Sequence, residues 1–193
     1  MFKIGILIFP QVEEMDFVGP FEVLSYSNKI QPDSTQVFLI AENLDIVQAF
    51  NGMKIIPEYS FDTCPDLDIL VLPGGKGRFE AMHNPQIKEF ILKQAAHAKY
   101  MTSVCTGAFI LAAAGLLNGK QATTYHTALE ELAAYSVKIV HDKKVVQDHN
   151  IITAAGVTSG LELGFYLLKI LFSNDLAKEV AKKIEYHIDI DQL

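Results

Sequence analysis

The chain is 193 residues long and half hydrophobic, enough to bury a core of its own, and residues 1–193 read as a single domain. Its formal net charge of −7, with no basic run, makes nucleic acid and anionic membranes poor partners and leaves a small molecule as the expected one. Its two cysteines lie outside any C-x-x-C pair or zinc-type cluster, and no apolar run reaches the roughly 18 residues of a membrane span; a metal site and a membrane span are therefore not expected, and the setting reads as cytoplasmic.

Residues 4–9 form a continuous apolar run, as in a strand buried on both faces. From Asp16 to about Asn28, Phe17, Phe21 and Leu24 recur at helical spacing. Proline is tolerated in a first turn, so Pro20 predicts a helix start near Val18. Residues 36–41 read as a second strand, and 46–56 as a hairpin around the two-residue turn signal Asn51-Gly52. A third buried strand over 68–72 ends in Pro73-Gly74-Gly75. A helix follows over 85–98, and a fourth strand over 100–104 runs straight into Cys105. Residues 107–117 are apolar all round, the pattern of a buried helix, with Asn118-Gly119 as its stop. Next come a short strand over 121–125, a short helix over 127–134 and strands over 137–140, 145–147 and 151–154. Two helices close the chain, over 159–171 and from 174 to about 187, the last capped by Ser173 or Asn174.

Strands alternating with helices predict a mostly parallel sheet covered on both faces, with ligands bound beyond the carboxyl ends of the strands. Three polar features fall at such ends: Glu14 and Asp16, Gly74-Gly75, and Cys105. Cys105 joins an apolar strand to an apolar helix with no loop between, the setting of a nucleophile elbow. The helix N-terminus is expected to lower its pKa, since the dipole favours a thiolate. Gly107 is expected to permit the sharp turn, and the N–H groups of Thr106 and Gly75 to bind developing negative charge. Cys64, in the loop Asp62-Thr63-Cys64-Pro65, has no activating pattern.

The segments Ile4–Pro10, Met15-Asp16-Phe17-Val18-Gly19-Pro20, Leu72-Pro73-Gly74-Gly75, Thr102–Ala108 and Ala113–Thr124, in this order, resemble the DJ-1/PfpI superfamily. The resemblance implies a flavodoxin-like three-layer α/β sandwich and a homodimer, with no metal or organic cofactor. Within the superfamily, the D-x-x-G-P segment at Asp16 and the C-T-G elbow at Cys105-Thr106-Gly107 are most similar to the branch that hydrates isonitriles. That likeness implies a nucleophilic Cys105, a proton-carrying Asp16, and a Thr106 that positions substrate or water. Glu13 and Glu14 are expected to be solvated or bound to backbone near the site.

The chain departs from the superfamily after the Thr123-Thr124 pair. A histidine is usual next; here Tyr125 stands there and the histidine is His126. Whether Tyr125 lines the pocket or His126 faces Cys105 stays open. The late loop Ala155–Gly160 has no histidine or glutamate, which argues against a glutamine-amidotransferase triad. Two other readings compete with isonitrile hydration: a glyoxalase-, deglycase- or peptidase-like cysteine enzyme, and a redox or ligand sensor. A regulator fused to a DNA-binding domain needs roughly a further hundred residues by the same resemblance.

Overall fold

A computed structural model describes residues 1–193. The strands are β1 (Phe2–Leu7), β2 (Thr35–Ala41), β3 (Val47–Gln48), β4 (Lys54–Ile55), β5 (Tyr59–Ser60), β6 (Ile69–Leu72), β7 (Tyr100–Val104), β8 (Gln121–Ala122), β9 (Lys138–Ile139), β10 (Val145–Asp148) and β11 (Ile151–Ala154). The helices are α1 (Glu14–Ile30), α2 (Arg78–Ala81), α3 (Pro85–Ala95), α4 (Ala108–Ala113), α5 (Leu129–Ala133), α6 (Ser159–Leu171) and α7 (Asn174–Lys183).

Seven strands form the central sheet in the order β10-β11-β7-β6-β1-β2-β5, parallel throughout except for β10. The continuous apolar runs become its middle: β6 and β11 are buried at every position. The pairings Ile6 with Val71, Leu72 with Ser103, and Val104 with Ala154 bring the carboxyl ends of β1, β6, β7 and β11 to one edge. Helices α1, α6 and α7 pack together on one face. Right-handed crossovers put α3, α4 and α5 on the other. The result is the expected flavodoxin-like three-layer sandwich around one core of 52 buried apolar residues.

Several boundaries differ from the sequence reading, three of them instructively. Helix α1 starts at Glu14, not near Val18, so Pro20 lies inside it. Proline has no N–H for the Asp16 carbonyl, and helix α6 presses on this point. A Cβ on Gly160 would lie 2.9 Å from Pro20 Cδ. Tertiary packing outweighs the lost bond, and the early start brings Asp16 into the first turn. Helix α4 ends at Ala113, well before Asn118-Gly119. Gly115, at φ +82°, closes it with a Schellman motif in which Leu116 N donates to Leu111 O at 3.0 Å and Gly115 N to Ala112 O at 2.9 Å. The β3–β4 hairpin lies where Asn51-Gly52 predicts, but its loop is longer than two residues, with Ala49 N donating to Met53 O at 2.9 Å. Ser173 caps α7 by accepting from Leu176 N at 3.2 Å. No helix is long and apolar enough to cross a membrane.

Candidate active site

Cys105 stands at the end of β7, first in a 3₁₀ turn that leads into α4. Its φ is +55°, a left-handed conformation that costs a non-glycine residue of order 1 kcal/mol or more and marks a true elbow. Gly107 does not carry that turn, contrary to expectation, because its own φ is an ordinary −59°. Glycine is needed there for room: a Cβ would lie 1.9 Å from the Leu72 carbonyl oxygen.

The end of β6 therefore rests directly on the elbow, and its two glycine N–H groups are committed. Gly74 N donates to Asp16 Oδ2 at 2.9 Å, and Gly75 N donates to Thr106 Oγ1 at 3.1 Å. The expectation that Gly75 N–H binds developing charge is corrected accordingly: it holds the Thr106 hydroxyl instead. The Thr106 hydroxyl and backbone N–H both face the Cys105 sulfur, joined by the backbone N–H of Val157 from the β11–α6 loop.

Asp16 is fully buried, and its Oδ1 accepts no hydrogen bond. Burial above all, with the charge of Glu13, raises its pKa to about 7 against the pull of the Gly74 N–H and the Cys105 thiol. Cys105 is 5% exposed. Burial first, and the Asp16 charge second, push its thiol up to about 12 despite the Val157 and Thr106 donors. Both act against the expected lowering by the helix N-terminus. Desolvation and a carboxylate neighbour outweigh the dipole of a six-residue helix. Burial raises both groups, Cys105 further than Asp16, so Asp16 is the first of the two to ionise as pH rises.

Other expected participants fall outside this pair. Glu14 accepts from Asn51 N at 2.8 Å and Asn51 Nδ2 at 2.7 Å, which ties α1 to the hairpin. Strand β8 ends at Ala122, before strand alternation reaches residues 125 and 126. His126 is exposed in a 3₁₀ turn. Tyr125 is half-buried, with its ring over the α-carbon of Gly156, next to Val157. Two residues were missed by sequence reasoning. Val157, a β-branched residue at φ +44°, turns its backbone N–H toward the sulfur, and nothing in its side chain announces that. Thr124 donates its hydroxyl to the Cys105 carbonyl at 2.7 Å, although its Thr-Thr pair is part of the family resemblance.

The description "DJ-1/PfpI family" matches residues 2–170. The chain belongs to the DJ-1/PfpI family. It is 42% identical to an isonitrile hydratase of Pseudomonas putida over 95% of this chain and 78% of that one. It is 30% identical to the protein DJ-1alpha of Drosophila melanogaster over 92% and 81%. The crystal structure of a ThiJ/PfpI family protein from Pseudomonas syringae superposes with a TM-score of 0.89 at 36% identity, covering 97% of this chain and 76% of that one. The matched span, residues 2–170, includes both Asp16 and the elbow.

Proposed function

We propose that this protein hydrates a small isonitrile, R–NC, to the N-substituted formamide R–NH–CHO, with residues 1–193 acting as one cytoplasmic unit. The observation that carries this reading is the fully buried Asp16, its Oδ2 held by the Gly74 N–H and its Oδ1 without a partner, at the strand-end edge that carries the Cys105 elbow. The similarity to an isonitrile hydratase supports the substrate. The slight exposure of Cys105, 5%, also suits a reactant as thin as the linear end of an isonitrile.

In the active form the thiol is neutral and Asp16 is a carboxylate. As sulfur bonds to the terminal carbon, its proton passes to Asp16, and Asp16 delivers that proton to the same carbon. The product is a thioimidate, Cys105–S–CH=N–R. Water then adds to this carbon, giving one proton to Asp16 while the nitrogen receives one from it. The tetrahedral adduct collapses by breaking the C–S bond as the new hydroxyl forms C=O, and its proton returns to sulfur. Thr106 and Val157 N–H groups stabilise charge on sulfur as it departs. Tyr125, beside Gly156, lines the approach for the R group.

Purified protein is expected to turn over alkyl or aryl isonitriles, followed by formamide formation, and Cys105→Ala to show none. Cys105-dependent turnover of methylglyoxal, with isonitriles untouched, would replace this reading by a deglycase-like one. A second copy of the chain completes the proposed working form. Leu44, Ile46, Phe50, Met53 and Ile56 are all exposed on or beside the β3–β4 hairpin, an apolar surface that self-association would cover. Light scattering after size exclusion is expected to give a dimer, and Ile46→Glu with Ile56→Glu a monomer; a wild-type monomer rejects the dimer.

A further inference from the structure

The Thr123-Thr124 pair has no part in the reaction just described, yet Thr124 is 1% exposed and its hydroxyl donates to the Cys105 carbonyl oxygen at 2.7 Å. That oxygen belongs to the peptide unit joining Cys105 to Thr106. The other end of the same unit is the Thr106 N–H, one of the donors that face the Cys105 sulfur. A planar peptide turns as one body, so whatever holds its oxygen also aims its N–H. The preceding peptide is held separately, by Cys105 N donating to Ala155 O at 2.8 Å. Cys105 thus keeps its left-handed φ because both flanking peptides are pinned, one by the end of β11 and the other by Thr124. Thr124 is itself anchored: the neighbouring Thr123 N donates to buried Thr153 Oγ1 at 2.9 Å.

We propose that Thr124 is a positioning residue whose hydroxyl fixes the Cys105–Thr106 peptide and thereby keeps the Thr106 N–H on the sulfur, setting how readily that sulfur carries negative charge. A hydrogen bond to the carbonyl also polarises the peptide and makes its N–H the stronger donor. This rests on Cys105 as the reacting group and is independent of which substrate it meets.

The test is alkylation of Cys105 by iodoacetamide between pH 6 and 10, read by peptide mass spectrometry so that Cys64 is counted separately. Thr124→Val removes the donor and keeps the shape. It is expected to be alkylated roughly tenfold more slowly at pH 8, the span of one hydrogen bond, with its profile displaced to higher pH. Thr124→Ser restores the donor and is expected to follow the wild type. Thr124→Ala, expected to match Thr124→Val, serves where the valine variant does not fold. A residue that merely supported the fold would lower the melting temperature without moving the pH profile. Overlapping wild-type and valine profiles, faster alkylation of the valine variant, or a serine variant that behaves like valine would each overturn the proposal. Iodoacetamide needs no isonitrile, so absence of turnover would sink the substrate and leave this test standing.

Discussion

Asp16→Asn is expected to lose most of its activity and, at pH 8, to be more stable than the wild type. The wild-type carboxyl is buried and its pKa stands at about 7, far above its ordinary 3.8. A carboxyl raised in this way favours the fold fully while protonated, below about pH 4. That contribution is lost as pH rises through about 7, because the unfolded chain then ionises in water at no desolvation cost. Asparagine keeps an oxygen for the Gly74 N–H and never ionises. The gap between 3.8 and about 7 sets a ceiling of about 4 kcal/mol on the gain at pH 8, at about 1.4 kcal/mol per unit. Urea unfolding at pH 5 and pH 8 checks it: the difference between variant and wild type is expected to be present at pH 5 and clearly larger at pH 8. A difference equal at both pH values would remove the raised carboxyl. The activity loss is expected to be roughly 10²- to 10⁴-fold, the usual contribution of a positioned acid–base group. In the wild type, kcat/KM is expected to rise with pH through about 7 as Asp16 becomes the carboxylate that accepts the thiol proton.

The sequence made the sheet and the elbow legible because both rest on strong local signals. Residues 4–7 of β1 and all of β6 are buried apolar runs, β7 and β11 are buried almost throughout although they carry Thr102, Ser103 and Thr153, and β7 meets Cys105 with no loop between. What escaped notice depends on contacts distant in sequence. Pro20 sits inside α1 because α6 packs against it, and no propensity rule within α1 contains that fact. The raised thiol pKa was missed for a related reason. A helix N-terminus is visible in sequence, but the depth of burial and the nearness of Asp16, 89 residues earlier, are not. Gly75 was assigned a catalytic N–H on its position alone; the neighbour that consumes it, Thr106, appears only in three dimensions. Val157 is the extreme case: its backbone contributes and its side chain carries no hint.

Gly107→Ala is expected to destabilise the protein and to disable the site. Its φ of −59° suits alanine, and alanine is the better helix former, so local propensity predicts a gain. The close approach of β6 predicts the opposite. The added carbon would lie 1.9 Å from the Leu72 oxygen, 2.7 Å from the Leu72 carbonyl carbon and 2.8 Å from that of Pro73. All three are backbone atoms of the strand end and no rotamer change clears them, so the elbow and β6 must separate. Gly74 adjoins the same contact, where a Cβ would fall 2.5 Å from Thr106 N. Separation would draw the Gly74 N–H from Asp16 and the Gly75 N–H from Thr106 together, disarming the proton carrier and the elbow in one step. Overpacking of this kind costs about 1–3 kcal/mol where side chains can yield, and a backbone clash belongs at or beyond the upper end. Turnover by the folded fraction is expected to fall further than stability does, because both donors depend on the same contact. Urea midpoints and turnover measured on one preparation test this: Gly107→Ala within about 1 kcal/mol of wild type, with turnover intact, would show that β6 yields freely and that its glycines do not hold the site.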